Sequence, residues 1–460
     1  MRRMRPDALG RRALGIEGPG FDGLQSLALR SLGSRSTTQA PLRALPASGV
    51  RLRLDVPWLA WFIALVALFF LQMSQTVAAS IFMAISVAYV LARPGFALEA
   101  ALLGVTPWIY VVLALLSVSW SEHSDVSGRA AIQITVTMGA ALVMARTLPA
   151  RGAISVLMCA VLVADAASLL NPQMAWNAGA LAMIGIFGSK NQLGLSQAIL
   201  VMAGVWIALD RQRGWPIRCL ALFSVILGFM LMIAARSLDA TATMTVSVAC
   251  ALAAFRLNWV APRWRATVLA ALLIVVVVVA GLAFLSAGES GLFGEILRLS
   301  GKDATLTGRT DLWQRAAAMM EENPLLGTGL QAFWVQGNPY AEELWARFAP
   351  GRSGYHFHNL WYEAGVELGY VGVIATFATI ASTTLEVWRW VIRTPSVISC
   401  FFLSYVIFIA IRTYVEVDLF GQYSFNWVLY IVCWAYARQA RLDAGRKTRS
   451  LQDAQMQWAH

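Results

Sequence analysis

The chain has 460 residues, 58% of them hydrophobic and only 13% charged, with a mean hydropathy of +0.62. That apolar content exceeds what one soluble core can hide, which excludes an ordinary water-soluble domain and makes lipid the natural solvent for the excess. The net charge of +11 implies no nucleic-acid partner, because the basic residues lie at the ends of apolar runs and not in one patch.

In chain order, residues 1–54 are rich in Arg, Gly, Ser and Pro and contain no apolar core before a small-residue cleavage site. They predict a flexible basic cytoplasmic tail, not a signal peptide. Windows of about 20 apolar residues then predict an all-α polytopic membrane protein with about twelve transmembrane helices. They lie near 57–75, 77–93, 98–118, 129–147, 151–171, 191–209, 216–235, 240–258, 266–287, 361–385, 398–415 and 424–437.

Lys and Arg near span ends tend to stay in the cytoplasm. With the tail inside, the inward ends collect Arg93, Arg146, Arg151, Arg211, Arg213, Arg218, Arg256, Arg263, Arg265, Arg389, Arg393 and Arg438 onward. Both termini are thus expected in the cytoplasm. Nine spans occupy residues 55–287, a large helical periplasmic loop 288–360, three more spans 361–437, and a C-terminal tail 438–460. Lys190, Arg236, Asp239, Arg412 and Glu416 break the charge rule. Charges at membrane depth are costly without partners, so these are the first candidates for function.

A loop of about 70 residues is too long to be a mere connector. Within it, "TGRTDLWQRAAAMMEENP" predicts a helix from Thr310 to Glu322, with Thr310 as cap, Asp311 at the positive dipole end and Asn323-Pro324 as stop. Leu312, Ala316 and Met319 or Met320 recur at helical spacing, giving a face that can lie on the membrane domain. Arg309 stands where free amides and the dipole repel a cation, so it needs an anion nearby: a bound phosphate, or Asp303 or Asp311. Trp313, Trp334 and Trp345 in the loop either stack on sugar rings or pack the loop in place.

The loop ends in "SGYHFHNLWYEAGVELGYVG", which holds His356 and His358, two of the four histidines. On an extended backbone the two point the same way. A neutral imidazole there can take a proton from an attacking hydroxyl; the alternative is a pair that only hydrogen-bonds Asn359 or the backbone. Metal is not expected, since no third ligand stands out among Cys and His. The five cysteines, Cys159, Cys219, Cys250, Cys400 and Cys433, lie in or beside apolar runs without CxxC spacing, so no disulfide framework is expected either.

Together, "ATLTGRTDLW", "ENPLLGTGLQAFW" and "HFHNLWYEAGVELGYVG" in one loop, with "FGSKNQLG" (187–194), "ARSLDATAT" (235–243) and "IRTYVE" (411–416), resemble the O-antigen ligase and Wzy-type polysaccharide polymerase superfamily, its exopolysaccharide-production branch above all. The resemblance implies a GT-C-like fold and a metal-independent, cofactor-free glycosyltransferase of the bacterial inner membrane. Its implied donor is an undecaprenyl-diphosphate-linked glycan and its acceptor another glycan, with chain-length regulator and flippase proteins as partners. It maps the outer-face arginines onto Arg236 and Arg309, which hold the diphosphate, and the activating histidine onto His358. His356 fills a more variable position.

Lys190 and Asn191 fit the family's KN signature, although an interfacial lysine also snorkels to water. Arg412 and Glu416 are spaced to pair with each other on a helix, or Arg412 is a third phosphate contact. Polymerase is the first reading and a ligase moving glycan to lipid A core or protein the second. A polysaccharide or lipid transporter is the reading from another class, set back because Arg236, Arg309 and His358 fall at the outer interface or in the loop and not at the midplane.

Overall fold

The computed structural model describes residues 55–177, 180–271, 309–348 and 355–458. The expected N-terminal tail, the ninth span beyond residue 271, and Asp303 lie outside the described residues.

Fourteen helices are numbered here in chain order: α1 (Val56–Phe69), α2 (Gln75–Ala92), α3 (Pro94–Ala101), α4 (Thr106–Leu116), α5 (Ser124–Thr147), α6 (Ala150–Leu170), α7 (Lys190–Leu209), α8 (Trp215–Ala234), α9 (Leu238–Phe255), α10 (Arg309–Glu322), α11 (Pro339–Phe348), α12 (Leu360–Arg393), α13 (Val397–Arg412) and α14 (Phe425–Trp458). Among the described residues, seven helices are long and apolar enough to cross a membrane, and the pair α3 and α4, bent by 93°, makes up to eight; α1 and α13 are shorter apolar helices. The protein is an all-α polytopic membrane protein, and helix is present at every expected span, the ninth being helical over 262–271 where it is described.

Local chemistry sets the helix ends. Asp55 accepts the backbone N–H of Trp58 at the start of α1, and Ser396 and Ser399 cap α13 reciprocally. The lipid-facing surface is openly apolar: Leu222, Phe223, Ile226, Met230 and Ile233 of α8 are exposed, which is favourable only in hydrocarbon. Between helices, lipid offers no hydrophobic drive, so close packing of small residues must supply the contact. Accordingly, a Cβ on Gly204 of α7 would stand 2.7 Å from the carbonyl oxygen of Ala221 on α8.

Two features position the site. After α6 the chain forms a short antiparallel hairpin, β1 (Met174–Asn177) with β2 (Ala180–Met183), which the apolar pattern did not announce. A 3-10 turn, Gly185–Phe187, then leads into α7, whose first turn is capped by Ser189. The second feature is α12, whose continuity is broken at Gly369 (φ 64°, ψ −166°). A side chain there would meet the Leu325 carbonyl at 2.3 Å, so only glycine fits the left-handed backbone and the close approach at once.

The segment before α12 has a small core of its own. Leu312, Ala316 and Met319 of α10 are buried with Phe333, Trp345, Phe357 and Val366. The expected apolar face of α10 is therefore real, and Val366 brings the start of α12 into the same cluster. Trp313 donates its indole N–H to the Phe357 carbonyl at 2.8 Å. This ties α10 to the run that carries both histidines.

Candidate functional site

α13 ends at Arg412, and the chain that follows leaves helical geometry. Glu416 therefore does not lie on the helix surface beside Arg412, as the i, i+4 spacing predicted. Its nearly buried carboxylate is instead the meeting point of three other segments. Oε1 accepts from Arg309 Nη2 at 2.9 Å and from Asn191 Nδ2 at 2.7 Å. Oε2 lies 3.1 Å from His358 Nδ1 and 4.0 Å from His356 Nε2. A second Arg309 nitrogen donates to the Val415 carbonyl at 2.8 Å.

Burial by itself raises the Glu416 carboxyl, but the hydrogen bond from His358 and the neighbouring charges of His358 and Arg412 hold it below the ordinary range. The carboxylate is thus ionised at neutral pH. Desolvation, reinforced by His358, pushes the His356 imidazole down to about 3, so His356 is neutral. Its Nδ1 accepts the backbone N–H of His358 at 3.1 Å, leaving the proton on Nε2. The two rings converge, with centroids 4.3 Å apart, although His358 is not extended: its φ is +49°.

With Nδ1–H directed at Glu416, His358 keeps a free lone pair on Nε2. A carboxylate behind an imidazole fixes its tautomer and stabilises the imidazolium that forms when it takes a proton. His358, Asn191 and Glu416 line a cavity of about 570 Å³ together with Gln72, Ser189 and Gln192.

The other expected site residues fall elsewhere. Arg412 is fully buried, its Nε 2.6 Å from Asp418 Oδ2 and its Nη1 3.0 Å from Asp239 Oδ2. It is not among the residues lining the cavity, and both alternatives from the sequence, a Glu416 pair and a phosphate contact, give way to this three-charge knot. The helix ends before the acid, and desolvation demands two carboxylates for so enclosed a guanidinium. Asp418 escaped the sequence reading, although "VEVD" directly after an apolar span is an unusual density of acid.

Asn359, expected from its place beside His358 to contact substrate, is held by the fold. Its Oδ1 accepts from Trp361 and Tyr362 backbone N–H groups, and its Nδ2 donates to the Tyr414 carbonyl at 3.2 Å. These bonds cap α12 and tie it to the chain after α13. Lys190 is the first residue of α7, half-buried beside Asn191. Arg236 is exposed in the turn between α8 and α9, three residues before Asp239, and lies outside the cavity lining. Among the described residues Arg309 pairs with Glu416, while Asp311, one of the two expected acids, pairs with Arg347.

Backbone strain marks the same region. Among the described residues, the non-glycine residues with positive φ are Arg236, Gln331, His358, Phe420 and Tyr423. Such conformations cost about 1–3 kcal/mol each and persist where surrounding structure enforces them. His358 and Tyr423 line the cavity just described, and Gln331 and Phe420 line a neighbouring one.

His356, His358 and Glu416 offer ligand atoms all within 4.8 Å of one another. The third ligand missing from the sequence reasoning is thus a carboxylate and not another Cys or His. Arg309 already neutralises that carboxylate at 2.9 Å, and a guanidinium at that distance opposes a dication electrostatically.

An apolar helical bundle with a histidine and a carboxylate lining one cavity, the carboxylate paired with an arginine, defines a multi-pass membrane protein with enzyme-like polar machinery. Residues 227–377 match the O-antigen ligase family. The chain is also 29% identical over 335 residues, covering 69% of its length and 73% of the relative, to the exopolysaccharide production protein ExoQ of Rhizobium meliloti (strain 1021). Both matches support the O-antigen ligase and exopolysaccharide-production branch to which the motifs pointed.

Proposed function

We propose that the protein joins polyprenyl-diphosphate-linked oligosaccharide units into exopolysaccharide at the outer face of the bacterial inner membrane, with both termini cytoplasmic. The observation that carries this reading is the His358–Glu416 contact of 3.1 Å at the wall of a large polar cavity. His358 Nε2 takes the proton of the acceptor hydroxyl as its oxygen attacks the anomeric carbon. The bond from that carbon to the diphosphate oxygen breaks, and the lipid diphosphate leaves with the electron pair. Such a leaving group needs charge stabilisation and no proton. Arg309 has five N–H donors, of which the observed contacts occupy only some, and Arg236 in its strained turn supplies a second guanidinium. No step calls for a metal or cofactor.

A ligase acting on lipid A core or protein uses the same chemistry and differs only in acceptor; the relative named for exopolysaccharide production favours polymerisation. Transport is the reading disfavoured by the site, whose ionisable groups lie at the start of α10 (Arg309), ahead of α12 (His356 and His358) and beyond the end of α13 (Glu416). The test is purified protein in lipid nanodiscs given lipid-linked repeat units without any gradient. Lengthening of the glycan is expected; unchanged single units would refute the reading.

A further inference from the structure

A second cavity, of about 430 Å³, shares His356, Val417, Gly421 and Gln422 with the first. Its size falls within the range of ligand sites, about 300–1,000 Å³. His358 and Glu416 line the first cavity only, so His356 stands where the two meet.

The lining differs in kind from that of the first. The carboxylates of Glu363 and Glu367, one turn apart on α12, face the cavity with the amides of Gln331 and Gln422 and the rings of Trp334 and Tyr355. No Arg or Lys is among its lining residues. A lipid diphosphate finds no cation there to balance its charge, so this is no second head-group site. Hydroxyl-rich, uncharged rings fit it well: carboxylates and amide oxygens accept O–H donors, and aromatic faces take the apolar C–H face of a sugar.

The walls are held in place. Glu363 Oε1 accepts the Trp334 indole N–H at 3.1 Å and Oε2 the Phe357 N–H at 2.8 Å. The side-chain amides of Gln331 and Gln422 pair reciprocally, at 2.5 and 3.2 Å, across a gap that joins the segment after α10 to the chain before α14. Gln331 and Phe420 hold left-handed backbone angles of 55° and 61°, and strained residues of this kind gather at ligand clamps.

We propose that this second cavity binds the acceptor glycan, as a neutral oligosaccharide whose terminal hydroxyl passes His356 to reach His358. The inference rests on the glycan-transfer reading and adds to it a separate place for the acceptor, one that offers no cation to an anionic sugar.

The experiment uses full-length protein carrying His358→Ala, so that binding is read without turnover. In nanodiscs it is titrated with lipid-free neutral oligosaccharide released from the exopolysaccharide of the producing strain, and binding is followed by saturation-transfer NMR. Binding is expected, with a loss of tenfold or more in affinity when Trp334→Ala or Glu367→Gln is added. No binding, or binding unchanged by both additions, overturns the proposal. If Trp334→Ala fails to fold, Gln422→Ala takes its place with the same expectation. In the otherwise native protein, Glu367→Gln should raise KM for the free acceptor at least tenfold, with kcat and the KM for lipid-linked donor changed less than twofold. Wild-type protein that transfers glycan but shows no such KM change sinks the subsite alone; wild-type protein that transfers nothing sinks the glycan-transfer reading beneath it.

Discussion

His358 Nδ1 lies 3.1 Å from Glu416 Oε2, and the two residues come from opposite sides of α12 and α13, 58 positions apart. In the proposed mechanism the contact fixes the tautomer of the imidazole that acts as base. Replacing Glu416 by Gln keeps a hydrogen-bonding group but removes the charge that stabilises the imidazolium. The expected outcome is a fall of about 10²-fold or more in glycan transfer, within the usual range for a positioned base, together with a lower melting temperature from the broken Arg309 pair. Initial rates on lipid-linked substrate and a melting curve check both halves.

Arg309 should not tolerate lysine. Its two nitrogens reach Glu416 and Val415 simultaneously, and one ammonium cannot reproduce that fork while keeping donors for a phosphate. Arg309→Lys is expected to raise the donor KM about tenfold or more, about 1.4 kcal/mol of binding, and a donor titration at saturating acceptor measures it.

Arg412 makes the opposite prediction. Arg412→Met leaves Asp239 and Asp418 facing each other without their cation, and breaking an enclosed pair in this way costs about 3–5 kcal/mol. Expression and melting temperature should collapse. Adding Asp239→Asn and Asp418→Asn to the same chain should recover much of the loss, which thermal unfolding in detergent would show.

His356 gives a pH dependence with a definite sign. Its folded pKa is depressed from 6.5 to about 3, so the unfolded chain binds the proton first. The stabilisation is fully present above pH 6.5 and is lost as pH falls from 6.5 toward 3, at no more than about 1.4 kcal/mol per pH unit, since the ring is partly exposed. His356→Gln should flatten the stability profile across pH 4.5–6.5. An unchanged slope in that window would contradict the assignment.

The bundle was readable because apolar runs of membrane length have few alternative fates, and every expected span that is described is helical. The face of α10 was readable for the same kind of reason, a periodicity with one physical outcome, whereas His356 and His358 converge on a backbone that is not extended at His358. Glu416 was noticed as a misplaced charge but given the wrong partner: the i, i+4 argument assumes a continuing helix, and α13 stops at Arg412. Asn359 looked like a site residue because it follows His358, yet a side chain in that position before an apolar helix is also an ideal cap. The contacts among residues 191, 309, 358 and 416 depend on how distant segments meet. No local pattern encodes them.

The most direct test of the account compares wild-type and His358→Ala protein of matched melting temperature, reconstituted in nanodiscs with lipid-linked repeat units, by the rate at which longer glycans appear. The account predicts a ladder of products from the wild type and a rate lower by about 10²-fold or more from the variant. Equal rates from the two proteins would remove the base from the mechanism and contradict the role assigned to this imidazole and its carboxylate.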